Sequence, residues 1–244
     1  MERQTQYGPV GIGIVVHGNE IREFPHNGNT FVWANPGSEY SIVGWNFTNR
    51  RVEVVITVDG LDILTGKTGD YKTQRGYVIN AGTKPRPIPG FRLDNQSVAR
   101  FTFGAPEGSY AALTDRPNNI GVIGAAFFAE RPRPTFRGDF PFNLNETRRY
   151  RGGGLESLSF NSTTKSAGAS VGTEFGKRTD FGTTETSFIR ESPNTPLAVL
   201  ALHYHTKTRL REFGIDVDRP APQIANPFPG AAGDGCAPPA GWKG

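Results

Sequence analysis

The sequence predicts an all-β fold: an antiparallel β-sandwich with a C-terminal β-hairpin extension and extended Pro/Gly/Arg-rich arms. Three observations lead there. In RRVEVVITVDGLD, Arg50 to Asp62, Val52, Val54, Ile56 and Val58 point one way while Glu53, Thr57 and Asp59 point the other. Successive side chains of a strand stand on opposite faces, so this alternation describes a half-buried strand. Similar short apolar alternations recur through most of the chain, broken by turn formers that include 31 Gly and 19 Pro. Finally, about eight such segments fall within the first 130 residues, the spacing of a sandwich.

In order, Val10 to His17 makes a Gly-spaced first strand. Ile21 to Phe24 and Thr30 to Trp33 flank His26-Asn27-Gly28-Asn29, and Asn-Gly between apolar runs signals a tight hairpin because both residues tolerate positive φ. Tyr40 to Phe47 and Arg51 to Val58 follow, then a loop punctuated by Asp59-Gly60 and Thr65-Gly66 leads to Tyr77-Val78-Ile79. A Pro-rich passage carries the chain to Phe91. Val98 to Phe103 alternates again, and Ile120 to Phe128 is apolar enough for a central strand. Residues 1–130 are therefore read as the sandwich core.

Composition changes at Glu130. The stretch from Arg131 to Gly154 has no steady period, and 157–183 is rich in Ser, Thr and Gly, so 131–183 reads as an extended arm and loop. Thr184 to Glu191 and Leu197 to Tyr204 are expected to pair as a hairpin around Ser-Pro-Asn-Thr-Pro. Thr206 to Phe213 can form one or two helical turns ended by Gly214, and 184–218 is expected to pack on the core. The tail 219–244 reads as a second extended arm ending near Trp242.

The net charge of +4 is small and interspersed, so it does not demand nucleic acid. The single cysteine, Cys236, excludes an intramolecular disulfide and a zinc site built on several thiolates. No run of about 18 apolar residues suggests a transmembrane helix. MERQTQYGP lacks the apolar core of a secretory signal, so the chain is expected to be made in a cytoplasm, with its Asn-x-Ser/Thr sites at Asn46, Asn95, Asn145 and Asn161 unused.

Four constellations have a chemical reading. Gly168-Ala169-Ser170-Val171-Gly172 is a literal G-x-S-x-G, followed by Asp180 and His203 in α/β-hydrolase order, but neither an apolar strand nor a helix start flanks it, which favours a plain loop. His203 and His205 share one strand face and could hold a metal only with a third ligand from elsewhere. Asp59, Asp62 and Asp70 could offer oxygens to calcium, but their spacing matches no EF-hand and Asp is a favoured turn residue. The arm holds Arg131, Arg133, Arg137, Arg148, Arg149 and Arg151 among Phe136, Phe140, Phe142 and Tyr150. Arginine beside aromatics can grip single-stranded nucleic acid, but the absence of Lys and the prolines favour a protein surface. These residues and Trp242 are the candidate contacts; no catalytic, metal or cofactor-binding residue is assigned.

The series VDGLDILTGK (58–67), RGYVI (75–79), VARFTFG (98–104), NIGVIGAAFF (119–128) and RESPNTPLAVLALHYHTKTRLREFGI (190–215) resembles a family of β-rich proteins encoded by bacteria and tailed bacteriophages. That resemblance covers most of the chain outside the 131–149 arm and the tail. It implies a non-enzymatic virion protein, a capsid decoration or cement protein. The expected partners are the major capsid protein or other virion proteins, with possible self-association and no membrane or nucleic acid. A carbohydrate-binding or adhesion module is the alternative, with Trp33, Trp45 and Tyr40 as a sugar-stacking platform.

Overall fold

The computed structural model describes residues 8–116, 119–132 and 169–219. They form an all-β sandwich of two sheets. One sheet holds β1 (Val10–Val16), β2 (Asn19–Glu20), β5 (Glu39–Asn46), β9 (Gly90–Arg92), β10 (Ser97–Gly104) and β12 (Gly172–Asp180). The other holds β3 (Glu23–His26), β4 (Asn29–Trp33), β6 (Val52–Val58), β7 (Leu61–Asp62), β8 (Tyr77–Ile79), β11 (Val122–Ala129) and β13 (Ala198–His205).

Local chemistry explains much of this. Asn27 and Gly28 take φ of 48° and 77°, the primed turn whose twist suits a hairpin, and β3 and β4 pair across it. Ile12 and Ile14 of β1, Tyr40 and Ile42 of β5, and Phe101 and Phe103 of β10 meet Val54, Ile56, Ile123, Phe127, Leu202 and Tyr204 in one apolar core between the sheets. The short helices are α1 (Tyr110–Leu113) and α2 (Lys207–Glu212). In α2, the Thr206 hydroxyl caps Arg209 N–H at 3.3 Å and Gly214, at φ 81°, follows the last turn. Leu210 of that helix packs with Phe24, Phe31 and Ile215 on the outer side of the second sheet.

Three expectations change. β6 is buried on both faces rather than one, because Val55 packs with Ala126, Phe128 and Tyr71, and Glu53 lies under the 71–76 loop. Within 157–183, where a loop was expected, 172–180 is a strand; it pairs with β10 at the edge of its sheet, so Lys177, Arg178 and Asp180 face solvent without breaking it, while Gly172 and Thr173 are buried. The hairpin expected over 184–204 does not form. Residues 184–191 run irregularly, with one bridge from Arg190 to Glu130, and β13 instead inserts between β11 (antiparallel) and β4 (parallel). Both sheets thus draw strands from beyond residue 130.

Candidate functional site

Of the candidate contact residues, Arg131 is described. Its side chain is exposed and its backbone N–H donates to the Ile189 carbonyl at 2.8 Å. This places it beside Glu130, whose carboxylate pairs with the Arg51 guanidinium. Arg133, Phe136, Arg137, Phe140, Phe142, Arg148, Arg149, Tyr150, Arg151 and Trp242 lie outside the described residues.

The fold brings Ser170 to His205 rather than to His203. Ser170 Oγ accepts the Thr206 N–H at 3.0 Å and lies 3.3 Å from His205 Nδ1, which its own proton can reach. Asp180 ends β12 opposite Ser97, ten positions along an extended strand that rises about 3.3 Å per residue, so it does not join them. Burial, then the charges of His203 and Arg209, push the His205 imidazole down to about 4, and burial lowers His203 too. His205 is therefore neutral at physiological pH and packs edge-on against Phe213, at 5.3 Å between ring centres. The serine ties the entrance of β12 to the cap of α2. Ser170→Ala is expected to leave ester turnover identical to the native chain and to cost about 1 kcal/mol in urea denaturation, the scale of one hydrogen bond.

The three aspartates do not converge. Asp62 accepts Thr65 N–H and Oγ1–H at 2.8 and 2.6 Å, and Asp70 accepts Lys72 N–H and Thr73 Oγ1–H at 3.0 and 2.8 Å. Among the described residues no group of three or more His, Cys, Asp or Glu is arranged to hold a metal ion. Asp59 takes the left-handed backbone (φ 53°) in the turn that Asp59-Gly60 punctuates, and it is 2% exposed. Its carboxylate accepts Gly121 N–H and Thr173 N–H, both at 2.8 Å, and the Tyr204 hydroxyl. Thr173 Oγ1 lies 2.7 Å from both the Tyr204 and the Tyr40 hydroxyls. Since Tyr204 donates to Asp59, Thr173 donates to Tyr204 and Tyr40 to Thr173. The result is a directed hydroxyl chain spanning both sheets.

The sugar platform does not form either. Trp45 and Tyr40 are buried at 1% and 2% exposure, whereas Trp33 is 45% exposed with Lys207 Nζ 5.4 Å from its ring centre. The sequon residue Asn46 is also buried, its side-chain amide donating to the carbonyls of Arg50, Ile79 and Asn80.

What sequence reasoning missed is a groove along the loop 64–76. Two depressions of about 770 and 510 Å3 adjoin there, sharing Leu64 and Arg75 in their walls. The loop is pinned by Arg190, whose guanidinium donates to Glu53 Oε2 (2.6 Å), Tyr71 O (2.6 Å) and Gln74 O (2.7 Å) while lying 3.7 Å over the Phe128 ring. The sequence signal was the spacing of Lys67, Lys72 and Arg75 in a loop otherwise read for its turns. No family model, curated protein or solved structure matches the chain.

Proposed function

We propose that the chain is a non-enzymatic structural protein of a bacteriophage particle, a capsid decoration or cement protein that grips the shell through extended arms. The reading is carried by the anchorage of Arg131, where the stretch expected to form the first arm begins. Arg131 is anchored to Ile189, next to the Arg51–Glu130 pair, so the Arg- and Phe-rich stretch begins from a fixed point on the sandwich rim. Ile189 is itself exposed there, giving the departure point an apolar neighbour. Buried polar groups such as Asp59 and Glu53 are engaged in holding the sandwich together, which suits a rigid platform. The partner is the major capsid protein or another virion protein. Many weak arm contacts repeated around a lattice give avidity, because each later contact is effectively intramolecular. Binding only the assembled shell stabilises that shell by linkage.

The test is co-sedimentation of the full chain with purified capsid shells. Replacing Arg131, Arg133, Arg137, Arg148, Arg149 and Arg151 together by Ala, or deleting 220–244, is expected to weaken shell binding while leaving the melting curve in place. Native binding unaffected by both changes, or absence of the chain from density-purified particles, would overturn the assignment.

A further inference from the structure

The groove beside the loop 64–76 has a charge arrangement that the sandwich itself does not use. Its larger depression is lined by Lys67, Arg75 and Arg116, three cations facing one carboxylate, Asp70. Asp70 is committed to its own turn, and its bond from Thr73, followed by that from Lys72 N–H, lowers its pKa further. The side chains of Lys67 and Arg75 make no hydrogen bond or ion pair with a described residue, and the Arg116 guanidinium reaches only the Gly66 carbonyl, at 3.1 Å. An arriving anion therefore has no internal ion pair to break.

The backbone presenting these charges is already fixed. Gln74 accepts Asp70 N–H at 2.6 Å and donates to Thr68 O at 2.9 Å, and Arg190 holds the Tyr71 and Gln74 carbonyls from beneath. A preformed loop lowers the ordering cost of binding.

The second depression differs in chemistry. Hydroxyl and amide groups of Asn95, Thr184, Thr186 and Ser187 line one stretch of its wall, beside Arg75, Arg92 and two carboxylates, Glu185 and the Arg190-paired Glu53. Its aromatic rings are already engaged. The Tyr77 hydroxyl accepts from Arg92 at 2.7 and 3.2 Å with the guanidinium 5.6 Å from the ring centre, and Phe188 lies 5.9 Å from Arg51. Single-stranded nucleic acid needs open rings for its bases to stack on, so a basic groove without them fits it poorly. A ligand with clustered negative groups at one end and many hydroxyls along its length matches both depressions. We propose that the groove binds an acidic oligosaccharide, its carboxylate or sulfate groups held by Lys67, Arg75 and Arg116 and its hydroxyls by the Thr/Ser/Asn wall. This holds whether or not the chain belongs to a particle.

Titration calorimetry on the full chain tests it with four probes: a heparin-derived sulfated hexasaccharide, an uncharged dextran oligosaccharide of equal length, inorganic pyrophosphate and oligo(dT). The sulfated sugar is expected to bind tightest and to weaken with added salt, since exposed charges are screened. Arg75→Ala should lower its affinity about tenfold, and Arg75→Ala with Arg116→Ala about a hundredfold, one charge-assisted contact at a time. Lys177→Ala, an exposed cation on β12 that does not line the groove, should change nothing. Unchanged melting curves for these surface variants separate lost binding from lost folding. Pyrophosphate binding as tightly would reduce the groove to a simple anion site. Tighter oligo(dT), or sulfated-sugar binding that is absent or indifferent to Arg75, overturns the proposal.

Discussion

Asp59→Asn is expected to remove a gain in stability that Asp59 contributes as pH falls from about 6 to about 4. Burial pushes the Asp59 carboxyl up to about 6, against the donors Tyr204, Thr173 and Gly121 that favour its charged form. In the unfolded chain the same group titrates near 3.8. Above pH 6 both states are ionised, and the folded state carries the cost of a buried charge. As pH falls through about 6 the folded chain takes up a proton that the unfolded chain refuses until about 3.8. Asp59 therefore adds stability across that window, about 3 kcal/mol in all, while His205, neutral in the folded chain down to about 4, subtracts stability as the unfolded imidazole charges below its ordinary 6.5. The ionisable groups facing Asp59 are Tyr204 and Tyr40, whose pKa values burial raises well above 10, so neither titrates in this range.

Asparagine tolerates the left-handed backbone at this position and keeps an acceptor, so the Asn chain should fold and, with the opposing contribution of His203 and His205 no longer offset, lose stability relative to the native chain as pH falls from about 6 to 4. Asp59→Ala is harsher. It strands Gly121 N–H, Thr173 N–H and the Tyr204 hydroxyl in the core and places a side chain at φ 53° without local hydrogen bonding, a loss of about 4 kcal/mol at pH 7. Urea denaturation at several pH values reads both effects. Native and Asn profiles that run parallel from about pH 6 to 4 would show that the network, rather than desolvation, sets the titration of Asp59.

The same residue shows what the sequence makes legible. Asp59-Gly60 announced a turn and a turn is there, but Tyr204, the partner of its carboxylate, lies 145 positions away. Local signals worked where local physics decides: the Asn27-Gly28 turn, the existence of strand β6 though not its two-sided burial, and the cap and Gly214 stop of α2. They failed where pairing is non-local. β13, β11 and β4 were each visible as strands, but the pairing of β13 with the other two was not, and the nearby segment 184–191 was the natural wrong partner. β12 was invisible because an edge strand can carry Glu174, Lys177 and Arg178 towards solvent. The groove was out of reach because its walls combine the loop 64–76, the turn at Asn95 and residues 183–189, which share no sequence pattern.

The largest single-site loss outside the Asp59 network is expected at Arg190. Its guanidinium and Glu53 are mostly buried, and together they join β6, the loop 71–76 and the segment after residue 184. Arg190→Ala leaves the Glu53 carboxylate, the Tyr71 and Gln74 carbonyls and the Phe128 ring without their shared partner. Removing one member of a buried pair costs about 3–5 kcal/mol because the other is left desolvated. Lysine should recover less than half of that, since an ammonium cannot fork to a carboxylate and two carbonyls while stacking on a ring. Glu53→Ala combined with Arg190→Ala should cost less than the sum of the two single changes, which isolates the penalty of the stranded charge. Trypsin supplies the local readout: cleavage after Lys72 and Arg75 should accelerate in Arg190→Ala well below its melting temperature. If global stability falls while cleavage at those sites is unchanged, Arg190 supports the core but does not pin the loop. The groove would then owe its shape to the loop's internal bonds from Asp70 and Gln74 alone.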